Sequence, residues 1–421
     1  MAINQQELGR RIRAAREACR MTQEDAANQL GMSRSPYVQM ENGNRSVSSL
    51  ELDKLAFLFG RDIREFLGAT FQDEDTLAAL FRAQPDVARQ PEVTAKLREC
   101  LALGRELTRL ERFVGLDRDM AALHCYAFTP PRTRWDAVQQ GQRLAEGERR
   151  RLGMGPGSLP DLTELLESQG VHTGMVDLPD DVCGLTLNDR DIGFFVVANA
   201  KHHHLRRRFS LAHEYAHVLA DRDRFGLVSK ASEQENLIEV RANVFAACFL
   251  LPEEGVHLFV TGLGKGRPSR ASAEVFDEVG TLCAQGRTEP GTQRLQLYDV
   301  VQLAHGFGVS VSSALYRLKN LRYLTEAEFN RLLGQDKAGG ARPLIEFLGV
   351  PEPNHMGMRS AFRLRFLGLA LEAFRREEIS KGKLKELAAM IGCQDRDLDG
   401  LMEEAGLEFS SGEGSPDGLQ A

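Results

Sequence analysis

The sequence predicts a multidomain protein with an all-α N-terminal domain, an α-helical connector, an α+β middle domain and an α-helical C-terminal region. Three observations predict it. The chain has 421 residues and is 42% hydrophobic, which is too long for one core. Apolar residues recur at helical spacing up to about residue 128 and again from about residue 295. Between them, short apolar runs such as Gly193–Ala198 alternate with helical stretches.

Residues 1–68 read as short helices joined by tight turns. Leu8, Ile12 and Ala15 share one helical face. Thr22 caps a second helix, with Asp25 in the capping-box position, and Gly31 ends it. Ser33 or Ser35 caps a third, whose first turn tolerates Pro36, and Asn42-Gly43 ends it. Ser48 or Ser49 opens a fourth, bearing Leu52, Leu55, Ala56 and Phe59. A helix, a Gly turn and a second helix with a polar start follow helix-turn-helix logic, in which the second helix lays its first residues on base edges in the major groove. Here that helix runs from Ser33 to Glu41, so Ser33, Arg34, Ser35, Tyr37 and Gln39 are candidate DNA contacts. Arg34 suits guanine and Gln39 suits adenine. Gln23, Asn44 and Arg45 are placed to hold phosphates. The implied partner is a double-stranded DNA operator.

The pattern TQ-x-x-x-A-x-x-x-G at 22–31, followed by S-x-S-x-Y-x-x-x-E-x-G at 33–43, resembles the XRE-type repressors that include phage Cro and C2 repressors. The resemblance spans residues 7–67. Residues 1–68 carry ten Lys/Arg against nine Asp/Glu, a balance of only +1. DNA affinity per protomer is therefore expected to be modest, and a homodimer is expected.

Residues 69–130 read as amphipathic helices broken by Pro85 and Pro91, a connector and possible dimer interface. The middle domain, 131–258, begins with an Arg- and Glu-rich helix from Trp135 to Leu152 and a helix from Leu162 to Gln169. Strands are expected at Val171–Val176, Gly184–Leu187 and Gly193–Ala198, then helices at about Phe209–Ala220 and Glu233–Leu251. Residues 259–293 are rich in Gly, Pro, Ser and Arg and read as a flexible loop. Residues 294–409 are helical again. Within them Tyr298–Leu318 has a helix-turn-helix look, for which a packing role is favoured. The tail 410–421 is expected to be disordered.

The string His213-Glu214-Tyr215-Ala216-His217 carries the chemistry. On a helix, residues four apart lie on one face, so His213 and His217 can bind one Zn²⁺. Glu214, beside His213, can act as general base on a water polarised by the metal. A tetrahedral site needs a third protein ligand. Glu239 on the following helix is the choice, with Glu235 the alternative. The stretch from Asn199 to Asp221, followed by Glu239-Val-Arg-Ala-Asn-Val-Phe, resembles the ImmA/IrrE family of metallopeptidases. That resemblance implies an α+β zincin-like metallopeptidase domain. It further implies cleavage of an XRE-type repressor, in trans or within the same chain, in a stress or phage-related response. Some fused relatives are instead metabolite-responsive regulators. Tyr215 and Ala216 stand where that family commonly has Leu and Gly, and both are expected to pack.

Two neighbouring features have bland readings. His202, His203 and His204 with Arg206–Arg208 read as a solvated loop before the metal helix. Cys183 reads as an ordinary edge cysteine, with an inhibitory thiolate as the sharper alternative.

Composition limits the setting. The net charge of -7 excludes a polycation, so DNA contact must be local to one module. The seven cysteines form no CxxC pair, which points to a reducing cytosol and a cytoplasmic protein. The N-terminus has no signal-peptide core, and the longest apolar run is too short for a bilayer, so no membrane partner is expected. Two functions follow. One is a DNA-binding transcriptional regulator with a zinc-dependent peptidase domain. The other is a non-catalytic transcription factor whose peptidase-like domain senses a small molecule or metal.

Overall fold

Five short helices build the N-terminal domain: α1 (Gln5–Ala18), α2 (Gln23–Gln29), α3 (Arg34–Glu41), α4 (Ser49–Phe59) and α5 (Ile63–Leu67). The chain is seen here in a computed structural model that describes residues 3–68, 71, 76–116, 123–189, 191–222, 226–230, 235–265, 270–277, 280–287, 293–347 and 357–404. Thr22 and Asp25 form the expected capping box, and Ser48 with Glu51 forms another. Ile12, Ala26, Ala27, Tyr37, Leu55 and Phe59 fill the small core. Arg16 closes it from one side, its Nε 2.6 Å from Glu41.

The connector follows as α6 (Thr76–Ala83), α7 (Pro85–Ala88) and α8 (Pro91–Val114). The two prolines sit in the first turns of α7 and α8, where a missing N–H costs nothing. The apolar face of α8, with Leu97, Leu101, Leu107 and Leu110, is buried within the chain. That face is therefore not open for the dimer contact expected of it. It packs on a late helix, α18 (Gly357–Arg375), and on one face of the central sheet.

That sheet has four strands: β1 (His172–Val176), β2 (Val182–Asp189), β3 (Gly193–Asn199) and β4 (Gly226–Lys230). Their order is β1-β3-β2-β4, with β1 parallel to β3 and the other pairs antiparallel. Strand β4 was not foreseen. Successive side chains of a strand point to opposite faces. Accordingly Phe195 and Val197 join the core shared with α8 and the N-terminal domain, while Phe194, Val196 and Ala198 join the second core. The N-terminal domain and the sheet thus share one continuous apolar core.

The second face is covered by α11 (His204–Ala220), on which α12 (Leu237–Leu250) packs, backed in turn by α9 (Arg134–Arg151), with α10 (Leu162–Ser168) at the flank. Helix α11 begins at His204, earlier than expected, because His203 accepts a hydrogen bond from the Leu205 N–H and starts the helix. Part of the basic run is therefore helical rather than loop.

The segment expected as a flexible loop is not one. Helix α13 (Glu253–Gly262) enters it, and β5 (Arg270–Asp277) pairs antiparallel with β6 (Gly280–Arg287). The alternation in Ala273-Glu274-Val275 is short and lies among Gly, Pro and Ser residues. Helices α14 (Leu297–Phe307), α15 (Val311–Asn320), α16 (Glu326–Lys337) and α17 (Arg342–Phe347) follow, and α18, α19 (Lys381–Met390) and α20 (Asp395–Glu404) close the chain. Helices α14 and α15 pack into the second core, where Arg317 of α15 is buried and donates to the Leu251 carbonyl at 3.0 Å. The tail 410–421 lies outside the described residues. Among the described residues, no single helix is long and apolar enough to cross a membrane.

Candidate metal centre and nucleic-acid interface

Helix α11 buries all five residues of its HExxH string, His213, Glu214 and His217 among them. Helix α12 crosses beside it and presents Glu239 from its first turn, also buried. The imidazole Nε2 of His213 is 3.0 Å from one Glu239 oxygen, and that of His217 is 3.4 Å from the other. The two Nε2 atoms are 3.2 Å apart. Among the described residues, this is the one group of three His, Cys, Asp or Glu side chains close enough to share a metal ion. Glu235 is exposed, ahead of α12, and takes no part.

The far side of each ring is anchored. His213 Nδ1–H donates to Asn243 Oδ1 at 3.0 Å, one helical turn beyond Glu239. His217 Nδ1–H donates to Asp221 Oδ2 at 3.0 Å. Asp221 in turn accepts from Arg241 at 2.5 Å, and Arg241 is held by Gln140 of α9 at 3.2 Å. Donation from Nδ1 leaves the lone pair on Nε2, the tautomer a metal requires. In the neutral rings that tautomer aims both Nε2 lone pairs and the Glu239 carboxylate at one point; a proton held there serves as the cation in the absence of a metal, and a divalent cation can replace it. A two-nitrogen, one-oxygen donor set suits zinc.

The charges agree. Burial lowers the His217 pKa, but the Asp221 and Glu239 carboxylates outweigh it and push it up to about 10. Burial raises the Glu239 carboxyl pKa, yet the two histidines hold it far below the usual range. The spot therefore favours positive charge.

Glu214 leans the other way, toward the sheet. Its Oε2 accepts from Thr186 Oγ1 at 2.7 Å, while its Oε1 is buried without a hydrogen-bond partner. Burial drives its carboxyl pKa up, against the pull of His213 and His217 and of the Ser229 and Thr186 hydroxyls. Gly184 makes the room: a Cβ there would lie 2.9 Å from Glu214 Oε1 and 2.9 Å from the Val197 carbonyl. An unpartnered buried carboxylate oxygen is poised to take a proton. Tyr215 is fully buried and donates to Glu148 at 2.6 Å, so it packs, as expected. Cys183 lines the same cleft and accepts from Arg206 at 3.4 Å, but it is not in the ligand cluster.

Asn243, Asp221, Thr186 and Gly184 were missed from sequence. The first two left a trace, because each sits four residues after a proposed ligand on the same helical face. The last two reach Glu214 across the sheet and left none.

At the N-terminus, Ser33, Arg34, Ser35, Gln39 and Asn44 are exposed at the start of α3 and around its ends. Gln23 bridges to this helix, its amide donating to Glu41 at 2.8 Å and its carbonyl accepting from Arg34 at 3.4 Å. Arg45 is half-buried against Glu51 at 2.7 Å. Tyr37 corrects an expectation. It is fully buried, with its hydroxyl pKa driven up by burial, and cannot touch DNA. It falls on the face of α3 shared with Met40 and Glu41, which turns inward.

A family model described as a helix-turn-helix domain matches residues 7–66. Another, described as an IrrE N-terminal-like domain of the M78 peptidase family, matches residues 169–266. No curated protein matches the chain. The chain therefore joins an XRE-like helix-turn-helix domain to an IrrE N-terminal-like domain of the M78 peptidase family.

Proposed function

We propose that this protein is a DNA-binding transcriptional regulator whose middle domain is a zinc-dependent peptidase acting on a repressor protein, in trans or in its own chain. The observation that carries the reading is the convergence of His213, His217 and Glu239 beside the unpartnered Oε1 of Glu214. His213, His217 and Glu239 would hold Zn²⁺, which supplies Lewis acidity toward a peptide carbonyl. Asn243 and Asp221, each 3.0 Å from the Nδ1 of its histidine, would hold the rings in the tautomer that leaves Nε2 free for the metal. Glu214 takes a proton from the attacking water onto Oε1 and returns it to the leaving amine. Thr186 orients that carboxylate through its other oxygen.

The N-terminal domain would read an operator with Arg34 and Gln39, with Ser33, Ser35, Gln23, Asn44 and Arg45 on or near the backbone. Its near-neutral charge favours action as a homodimer in the cytoplasm, in a stress or phage-related response.

A second reading, a non-catalytic regulator that senses a small molecule or metal, draws support from the core that joins the N-terminal domain to the sheet under Glu214. Occupancy of the cleft has a packed route to the DNA-binding domain. Glu214→Gln separates the readings, because it keeps the ligands and removes the base. Loss of repressor cleavage and of derepression together supports proteolysis. Regulation that persists unchanged in this variant contradicts it.

A further inference from the structure

The cleft does not end at the ligand cluster. A cavity of about 570 Å³ opens from His213 and Glu239, and a second of about 540 Å³ continues it. Val138, Phe209, Val244, Ala247, Tyr316 and Asn320 line both, so the two form one groove between α9, α12 and α15. Its walls are largely apolar. Trp135, 67% exposed, and Tyr316, 52% exposed, stand along it. From Glu239 to Ala247 the groove follows α12 for about 12 Å at about 1.5 Å per residue. That accommodates roughly three to four extended residues at about 3.3 Å each.

The charge along the groove has one sign. Arg134 and Arg206 line the inner part, and Arg317 and Arg322 the outer. Glu239 is the one carboxylate among the described lining residues, and it belongs to the ligand cluster. Arg317 is committed to the Leu251 carbonyl, and Arg206 to Cys183. Arg134 and Arg322 have no side-chain hydrogen bond or ion pair among the described residues, although both are exposed beside an apolar channel. A guanidinium in that position is matched by a carboxylate, and apolar walls are matched by a bulky apolar side chain.

We infer that this groove selects the substrate, taking an extended peptide segment that combines a bulky apolar side chain with acidic residues. The inference rests on the peptidase reading and specifies its substrate class. Arg134 and Arg322 clamp the acidic positions, and Phe209, Val244 and Tyr316 receive the apolar one.

The test uses the full-length Glu214→Gln protein loaded with zinc, so that binding is read without turnover. Three fluorescein-labelled heptapeptides are compared by anisotropy: one with Phe-Asp-Glu at its centre, one with Phe-Lys-Lys and one with Ala-Asp-Glu. The first is expected to bind about tenfold tighter than either other, a margin that shrinks in high salt. Arg134→Glu with Arg322→Glu should transfer the preference to the Lys peptide, and Tyr316→Ala should erase the preference for Phe. Equal binding of all three peptides, or none, overturns the inference. Wild-type protein is assayed in parallel for cleavage of the same peptides. Selective binding without cleavage would defeat the peptidase reading and leave the groove assignment standing. Cleavage of all three at equal rates would do the reverse.

Discussion

His217 Nδ1 lies 3.0 Å from Asp221 Oδ2, four residues further along the same chain. The pairing fixes the ring so that Nε2 faces Glu239 and His213. Groups that orient a metal-binding histidine typically contribute about 10- to 100-fold to metal affinity. Asp221→Ala should therefore weaken zinc binding by about that factor, beyond the stability lost when buried Arg241 is left without its carboxylate. Competition against a chelator of known affinity reads it. An unchanged affinity would mean that the carboxylate does not orient the ring.

Gly184 gives a second test, because it separates the base from the ligands. A methyl group at this position meets Glu214 Oε1 and the Val197 carbonyl, each at 2.9 Å. Relief comes most easily from the side chain, so Gly184→Ala should displace the Glu214 carboxylate. Overpacking of this kind costs about 1 to 3 kcal/mol. Peptide turnover is expected to fall at least about tenfold with zinc content unchanged. Turnover at the wild-type rate would show that Glu214 tolerates the shift and is not held for catalysis.

Stability should carry a pH signature from Glu148. This buried carboxylate accepts from Tyr126, Tyr215 and Arg151. Burial raises its pKa, but these hydrogen bonds, Arg151 foremost, hold it below its ordinary 4.5. A lowered folded pKa gives stability that is present in full above 4.5 and is lost as pH falls through the folded value. Glu148→Gln should cost about 2 kcal/mol near neutral pH. In urea titrations the gap between wild type and variant should close as pH drops below 4.5. A gap independent of pH would place the effect in packing alone.

In the N-terminal domain, Arg34 and Tyr37 should fail differently. Arg34 is exposed at the start of α3, so Arg34→Ala should weaken operator binding by about 1 to 3 kcal/mol without moving the melting temperature. Tyr37 is fully buried, so Tyr37→Ala should destabilise the domain by about 3 to 5 kcal/mol. Melting curves and gel-shift titrations on both variants distinguish the cases. A stable Tyr37→Ala protein with lost DNA affinity would contradict the placement of Tyr37 in the core.

Much of the site was legible because helical periodicity alone brings His213 and His217 to one face. Glu239 is preferred from its place on the following helix, and Glu235 stays as the alternative, since which turn of α12 meets α11 depends on how the two helices pack. The same limit hid Thr186 and Gly184, whose roles exist only once β2 lies over Glu214. Tyr37 was misplaced because its position in a recognition helix suggested contact with DNA. The helix turns that position inward, into the core that also holds Ile12 and Phe59. The strands of 270–287 were obscured by composition. A Gly- and Ser-rich segment can still form strands, and here 270–277 pairs antiparallel with 280–287.

The most direct test is the metal content of the purified, tag-free protein beside His213→Ala and Glu239→Ala. About one zinc per wild-type chain, lost in both variants, is the predicted result. Wild-type protein that binds no metal when zinc is supplied at neutral pH, or variants that keep it, would contradict the account.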